Sequence, residues 1–431
     1  MPLRKTKYAQ AISDEILEKL SLENRYIFLN ENFRPFLTDA QLSFLESIQE
    51  FCLKFEKDNN ITHGPEEDLY DWVPAFGKQG LITRMHDVSC IDLDYEQHGL
   101  VADFMRIFGT DQFDPQFTMI TGATVICINP IYSHHDNIPV RLEALKELVT
   151  GQASGCLLIT EPERGSDAVH QLTTCEEQED GSFILNGEKI YQTNAPKAKW
   201  AVAYATAEKN NGALMAQFLI NTSWDGWNCE RVGIPWVPKL FLGKENLVNL
   251  RVPKEYVLAG VGKGREHLFE GLIPERIAIA LRGASESWNA LSHAIIYANM
   301  RKQFNQEILM FQGVGFLLTD LWARTTSLIH GLLKFCEIYD EKMKKYEGEL
   351  PEHISQAMVP AASQYKYSCA QLSKYVCYEA ANVMGGAGLC DNTLMDDLLR
   401  ISRIQEIIGG SRQIQQFIMS RGLRRFFRAL P

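Results

Sequence analysis

Apolar residues recur at helical spacing in the segment AQLSFLESIQEFCLKFE, which follows the capping-type pair Thr38-Asp39. The same period returns over residues 69–78, 96–108, 117–128 and 140–149 and predicts an all-helical first domain. From about Ser154 to Ala259 the pattern changes to short runs, CLLIT, QLTTCEE, SFILNGEKIYQT, WAVAYATAE, ALMAQFLI and LVNLRV, broken by Gly, Asn and Asp turns. These predict a small antiparallel barrel or sandwich. Helical runs near residues 265–305, 313–346, 352–384 and 411–427 then predict an antiparallel four-helix bundle. The expected fold class is α+β, with an extension (1–36), an N-terminal helical domain (37–153), a middle β-domain (154–262) and a C-terminal helical bundle (263–431).

The chemistry concentrates in residues 156–194, which open on CLLITEPERGSDA and close on NGEKIYQTNA. Leu157, Leu158 and Ile159 form an apolar strand into Thr160, after which Pro162 and Gly165 end regular pairing and expose Ser166 on a turn. Asn186-Gly187 is a hairpin signal, so a second strand is expected to return Tyr191 and Thr193 to the same place. By itself Gly-Ser-Asp is a common loop sequence.

Together, TEPxxGSD and NGxKxxxTN resemble the acyl-CoA dehydrogenase family, and the likeness runs through most of the chain. It implies the three-domain fold above and FAD as cofactor. It places Leu158 and Thr160 against the flavin ring, Gly165 and Ser166 near the pyrophosphate, and Tyr191, at a position often held by Trp, with Thr193 beside the ring. YANMRKQFNQEILMFQ resembles the family's Arg-x-x-Phe region, which puts Arg301, Phe304 and Gln312 at the cofactor of a neighbouring subunit. Met384-Gly385-Gly386-Ala387-Gly388 resembles the family's GGxG turn, where missing side chains admit a backbone to the adenosine half of FAD; alone it would be a helix terminator. Asn382, Ser411 and Gln413 join the implied cofactor set.

One departure bears on mechanism. Where many relatives read YEGT, with Glu as base, this chain reads Ile408-Gly409-Gly410-Ser411. Glu275, in LIPERIAIA, resembles the base of isovaleryl- and long-chain members, which carry Glu on this helix and Gly at the other position. A lone Glu here would be a first-turn acid favoured by the helix dipole; beside Gly409 it reads as the relocated base, with the Gly409 N–H as a donor to the thioester oxygen. Arg276 matches an Arg that contacts CoA, with a surface ion pair as the alternative.

Composition narrows the rest. The chain has 431 residues, 45% hydrophobic, and a net charge of -11, which disfavours nucleic acid and anionic membranes as partners. Ten scattered cysteines show no CxxC or clustered Cys/His pattern, so no disulfide framework or structural metal is expected, and a reducing, cytoplasmic setting fits. The first residues lack the apolar run of a signal peptide, and Asp14, Glu15 and Glu18 oppose a transit peptide. No run reaches transmembrane length. His134-His135-Asp136 reads as loop polar residues, because neighbouring side chains diverge and no partner motif follows. Arg84, His86, Asp87, Asp92 and Asp94 read as solvated loop charges, and Arg164 as a solvated Arg or a selector of an anionic acyl group.

The reading is an FAD-dependent acyl-CoA dehydrogenase acting on an acyl-CoA thioester, a homotetramer or dimer with an electron-transfer flavoprotein as acceptor. A flavin monooxygenase or oxidase on the same fold, and a catalytically silent relative, are the competing expectations.

Overall fold

The computed structural model describes residues 9–64, 66–428 and 430; residues 1–8, where the predicted extension begins, lie outside the described residues. The described part of the extension carries two helices, α1 (Asp14–Lys19) and α2 (Leu22–Phe33). α3 (Asp39–Asp58) begins at a capping box in which Thr38 and Gln41 each accept the other's backbone N–H, and it buries the stripe Leu42, Leu45, Ile48 and Cys52. α4 (Val73–Lys78), α5 (Leu100–Phe113), α6 (Pro115–Ser133) and α7 (Pro139–Val149) follow, near the predicted runs.

Eight strands come next: β1 (Gly155–Leu158), β2 (Thr174–Glu177), β3 (Phe183–Thr193), β4 (Trp200–Thr206), β5 (Met215–Asn221), β6 (Trp227–Val232), β7 (Leu242–Val252) and β8 (Val257–Ala259). The predicted run 265–305 divides at Gly271 into α8 (Gly264–Glu270) and α9 (Leu272–Met300). α10 (Gln312–Lys345), α11 (Glu352–Met384), α12 (Met395–Ile404) and α13 (Arg412–Arg428) complete the chain. Among the described residues no helix is long and apolar enough to cross a membrane.

The chain divides into two compact units. The first takes residues up to Glu67, Gly99–Thr118 and everything from Arg276 on. Here α5 lies so close to α3 that a Cβ on Gly109 would come 2.6 Å from Ile48 Cγ2. Arg25 of α2 is buried and donates to Gln112 O at 2.5 Å and Asn289 Oδ1 at 3.0 Å, tying α2 to α5 and α9. Burial lowers its guanidinium to about 10. Trp288 of α9 is fully buried, stacked on Phe28 at 5.4 Å and edge-on to Phe33 at 4.8 Å. Truncating such a side chain costs about 3–5 kcal/mol. α11 packs against α10, α12 and α13.

The second unit holds Asp68–His98 and Met119–Glu275, with the sheet in the order β6-β7-β3-β2-β4-β5-β8 and β1 against β4. All seven residues of β4 are buried, so it forms the centre. The sheet is not wholly antiparallel as predicted. β1 runs parallel to β4, which the intervening β2–β3 segment allows because it is long enough to bring the chain back in the same direction.

The predicted turn at Asn186-Gly187 is also corrected. Both residues lie inside β3, where pairing with β7 slips register between Leu185 and Gly187. A Cβ on Gly187 would sit 2.5 Å from Thr173 Oγ1, so the glycine admits a close strand at a bulge. The chain bends earlier, at Asp180-Gly181, where Gly181 has φ +79°.

Candidate active site

In the β-unit the two sequence motifs are joined by a buried ion pair. Lys189 Nζ lies 3.0 Å from Glu161 Oε1, with side chains 0% and 2% exposed, and also donates to Gln171 Oε1 and Ile159 O. The backbone N–H groups of Leu172 and Thr173 donate to the two Glu161 oxygens at 2.7 and 2.8 Å. Burial lowers Lys189 to about 8. Burial also opposes the Glu161 carboxylate, but Lys189 and the bonds from Thr173 and Leu172 hold it below its ordinary range.

That anchor fixes the turn after β1. Glu161 and Arg164 exchange backbone hydrogen bonds of 2.9 and 3.1 Å, leaving Gly165 and Ser166 exposed beyond them. A Cβ on Gly165 would meet nothing within 4 Å. Arg164 is part-exposed, and its guanidinium donates to Glu163 O, His170 O and, from another loop, Asn210 Oδ1.

Thr160 lies against β3, its carbonyl accepting from Ile190 N at 3.0 Å and Gln192 Nε2 at 3.1 Å. β3 slips register again between Ile190 and Gln192, and the residue at that bulge, Tyr191, has φ +71° and is 57% exposed. A left-handed aromatic costs about 1–2 kcal/mol, so the fold holds this ring outward against a local penalty. Thr193 is half-buried beside it, and the Gln192 Oε1 atom is buried without a hydrogen-bond partner. Leu158, by contrast, is fully buried in the β core, so its side chain serves packing. Asn194 closes the segment, bonding Ile120 O, Thr124 Oγ1 and Gly155 O and accepting from Tyr70.

In the helical unit, Gly409 has φ +57° and Gly410 φ +86°. Their carbonyls are engaged: Gln415 Nε2 donates to both at 2.9 Å, and the buried Lys366 Nζ donates to Gly410 O at 2.7 Å. Among the described residues, the Gly409 N–H makes no backbone hydrogen bond. The turn is thus held by its acceptors, and a donor is left over. Ser411 follows it, with Oγ accepting from Ile414 N, and Gln413 is exposed in the first turn of α13.

Gly385 ends α11 with φ +60° and ψ -137°, a conformation that only glycine adopts readily; Asn382, Gly385 and Gly386 are exposed, and Cβ atoms on either glycine would meet nothing within 4 Å. Arg301 and Gln312 flank a tight hairpin of Lys302–Gln303 and Gln306–Glu307 whose turn residues are Phe304 and Asn305, both left-handed. Phe304 is 88% exposed at its tip.

Glu275 is half-buried in the first turn of α9. Tyr204 is its neighbour: burial, then the charge of Glu275, raises that phenol. Arg276 is buried, which removes the surface ion pair as its role. A second α9 carboxyl, Glu286, is fully buried and accepts from Ser373 Oγ at 2.9 Å and Gln405 Nε2 at 2.5 Å, so it fastens α9 to α11 and to the residue after α12. Burial, with Asp111 nearby, pushes its carboxyl well up.

Sequence reasoning passed over Glu161, Lys189, Asn194, Lys366 and Gln415. For the first three a signal was present, as polar residues inside the two motifs; for the last two there was none. Of the loop residues 84–94 expected to be solvated, Asp87, Asp92 and Asp94 are exposed as expected, whereas Arg84 and His86 are half-buried against neighbours. Arg84 donates to Gly80 O and lies 4.2 Å over the Tyr95 ring, His86 bonds Asn129 and stacks on Tyr132, and Asp87 accepts from Ser89 N, which leads the causes holding its carboxyl low.

The profile of the acyl-CoA dehydrogenase middle domain matches residues 156–234, and that of the C-terminal domain residues 262–424. The short-chain-specific acyl-CoA dehydrogenase of Megasphaera elsdenii is 26% identical over 404 residues, covering 90% of this chain and 99% of its own. The mitochondrial isovaleryl-CoA dehydrogenase of Arabidopsis thaliana is 25% identical, covering 89% and 91%. Among solved structures, the acyl-CoA dehydrogenase of Bacillus anthracis complexed with FAD superposes with a TM-score of 0.80 at 21% identity, covering 91% of this chain and 68% of that one. With both profiles matched across more than half of its length, the chain belongs to the acyl-CoA dehydrogenase family.

Proposed function

We propose that this protein is an FAD-dependent oxidoreductase that converts an acyl-CoA thioester to the 2-enoyl-CoA, with Glu275 as base. The observation that carries the reading is the Gly409 turn, which has no side chain to act as base yet keeps a backbone N–H while both its carbonyls are occupied. That N–H donates to the thioester oxygen as enolate charge develops there. Glu275, as carboxylate, takes the α-proton, and the electrons of that C–H bond enter the new α,β-double bond. FAD, when bound, accepts the β-hydrogen as hydride. Arg276 is assigned to CoA, and Thr160, Gly165, Ser166, Tyr191, Thr193, Asn382, Gly385, Gly386, Ser411 and Gln413 to FAD, with Leu158 contributing through its backbone.

Residues 37–153, 154–262 and 263–431 are taken as the family's three domains. The exposed apolar side chains Phe304, Met310 and Phe316 support a homotetramer in which Arg301, Phe304 and Gln312 meet the cofactor of a neighbouring copy. Electron-transfer flavoprotein is the proposed acceptor. Ten free cysteines support a reducing, cytoplasmic setting.

The test is anaerobic titration of the purified protein with saturated acyl-CoAs (branched, short, long, aromatic and dicarboxylic) while following flavin absorbance. Bleaching by one class establishes the reaction and names the substrate group. A flavin that stays oxidised with every thioester overturns it, and rapid reoxidation by air would turn the assignment to a monooxygenase or oxidase.

A further inference from the structure

The sequence offered His134 only His135 and Asp136 as companions, and the structure sends both elsewhere. Asp136 pairs with Arg141 at 2.6 Å, and His135 Nδ1 accepts from the Asn137 N–H at 3.0 Å. His134 instead meets two residues of α8, 133 and 136 positions later. Its ring stacks on His267 with centroids 3.4 Å apart and planes 6° from parallel, and its Nε2 lies 3.1 Å from Glu270 Oε2. His267 and Glu270 are three residues apart on one helix, so they share a face. One ligand atom from each of the three residues lies within 4.8 Å of the others.

The support around the cluster prepares it for a cation. Gln217 of β5 commits its amide nitrogen to the Tyr204 hydroxyl at 2.6 Å, so its Oε1 faces His267 Nδ1 at 3.0 Å as an acceptor. His267 therefore carries its proton on Nδ1 and presents the Nε2 lone pair outward, the arrangement in which an outer partner fixes a ligating imidazole. The buried Arg141 holds the other arm, donating to His134 O at 2.8 Å and to the carbonyls of Glu255 and Val257. α8 is seated on β5, where a Cβ on Gly264 would come 2.7 Å from Ala216.

The geometry points to a divalent transition-metal site formed by His134, His267 and Glu270, lying wholly within the β-unit and independent of the proposed dehydrogenation. Two imidazoles and one carboxylate suit Zn²⁺ or its borderline neighbours rather than Mg²⁺ or Ca²⁺, which prefer all-oxygen sets. Uptake needs the His134 ring to turn about its Cβ–Cγ bond, a soft torsion, while Gln217 holds His267, so that both Nε2 atoms and a Glu270 oxygen reach one centre at about 2.0–2.2 Å. His134 gives up its bond to Glu270 in doing so. Three protein donors leave the remaining position for water or a ligand from solution.

Calorimetric titration of the full-length, FAD-loaded, reduced protein with Zn²⁺ after EDTA treatment tests this. One site per chain is expected, with no response to Mg²⁺. His134→Gln, His267→Gln and Glu270→Gln should each weaken Zn²⁺ about tenfold or more, and Gln217→Met about tenfold through loss of the partner that fixes the His267 tautomer. Cys390→Ser, which removes a part-exposed thiol, should change nothing. Each variant is checked by its melting temperature without metal, so a loss of binding is separated from a loss of fold. Absence of binding by the parent, or parent-like binding by a folded His267→Gln or His134→Gln protein, overturns the site.

Discussion

Lys189 and Glu161, 28 residues apart, meet at 3.0 Å with almost no solvent access, and so lock the strand end that carries TEPERGSD to the strand that carries NGEKIYQTNA. The Lys and Glu of those motifs are buried anchors, and Gly165, Ser166 and Tyr191 beside them are exposed. Removing one partner strands the other charge in the interior, where it costs about 3–5 kcal/mol. Lys189→Met should therefore lower the urea-unfolding free energy by that order, and adding Glu161→Gln should recover part of it. A loss below about 1 kcal/mol, the scale of an exposed pair, would mean that the turn is held by its backbone bonds alone.

α9 carries two carboxyls suited to confusion, and one experiment separates them. Glu286 is buried against Ser373 and Gln405 with its carboxyl pushed up, so it is largely protonated at neutral pH and an amide imitates it well. Glu286→Gln should keep flavin reduction by the substrate acyl-CoA within about threefold of the parent, whereas Glu275→Gln should retain FAD and thioester binding and lose about 10²-fold or more of the reduction rate. Stopped-flow absorbance measures both. Unchanged reduction in Glu275→Gln removes it from the mechanism.

Tyr191 holds φ +71° at a bulge, which asparagine tolerates far better than an aromatic. Tyr191→Asn should raise stability by about 1 kcal/mol and, by deleting the exposed ring, weaken FAD binding. Thermal unfolding of the apoprotein and flavin-fluorescence titration read the two effects separately. Weaker FAD binding with no gain in stability would show that the conformation is set by neighbours rather than strained.

His63 supplies a pH dependence. It is buried between Asp114 Oδ2 at 3.1 Å and Glu56 Oε1 at 3.3 Å. Burial works to lower it, but the hydrogen bonds to Asp114 and Glu56 prevail and raise it above its ordinary 6.5. The folded state then holds the proton more tightly than the unfolded one. The stabilisation is fully present below about pH 6.5 and disappears as pH rises through the higher folded value. Denaturant unfolding from pH 5.5 to 8.5 should show stability falling over the upper part of that range, and His63→Gln should flatten the slope.

The helix and strand runs were written in the periodicity, because burial of one face imposes its spacing on the sequence wherever the fold is built. The capping box at Thr38 and Gln41 and the end of α11 at Gly385 are local in the same sense, since neighbouring backbone atoms decide them. Turn chemistry alone was ambiguous. Asn186-Gly187 and Asp180-Gly181 both permit a bend, and the pairing of β3 with β7 made the first a bulge and the second the turn.

The sequence by itself determined the family and the cofactor class, because these follow from residue identity in ordered motifs. Only the tertiary structure decided which motif residues are anchors and which are presented. Burial turned Leu158 inward and paired Lys189 with Glu161, and a register slip put Tyr191 outside. Lys366 and Gln415 reached the carbonyls of the Gly409-Gly410 turn from elsewhere on the chain. His134 found His267 and Glu270 by the same route, since contacts between residues more than a hundred positions apart arise from packing and leave no spacing in the sequence to read.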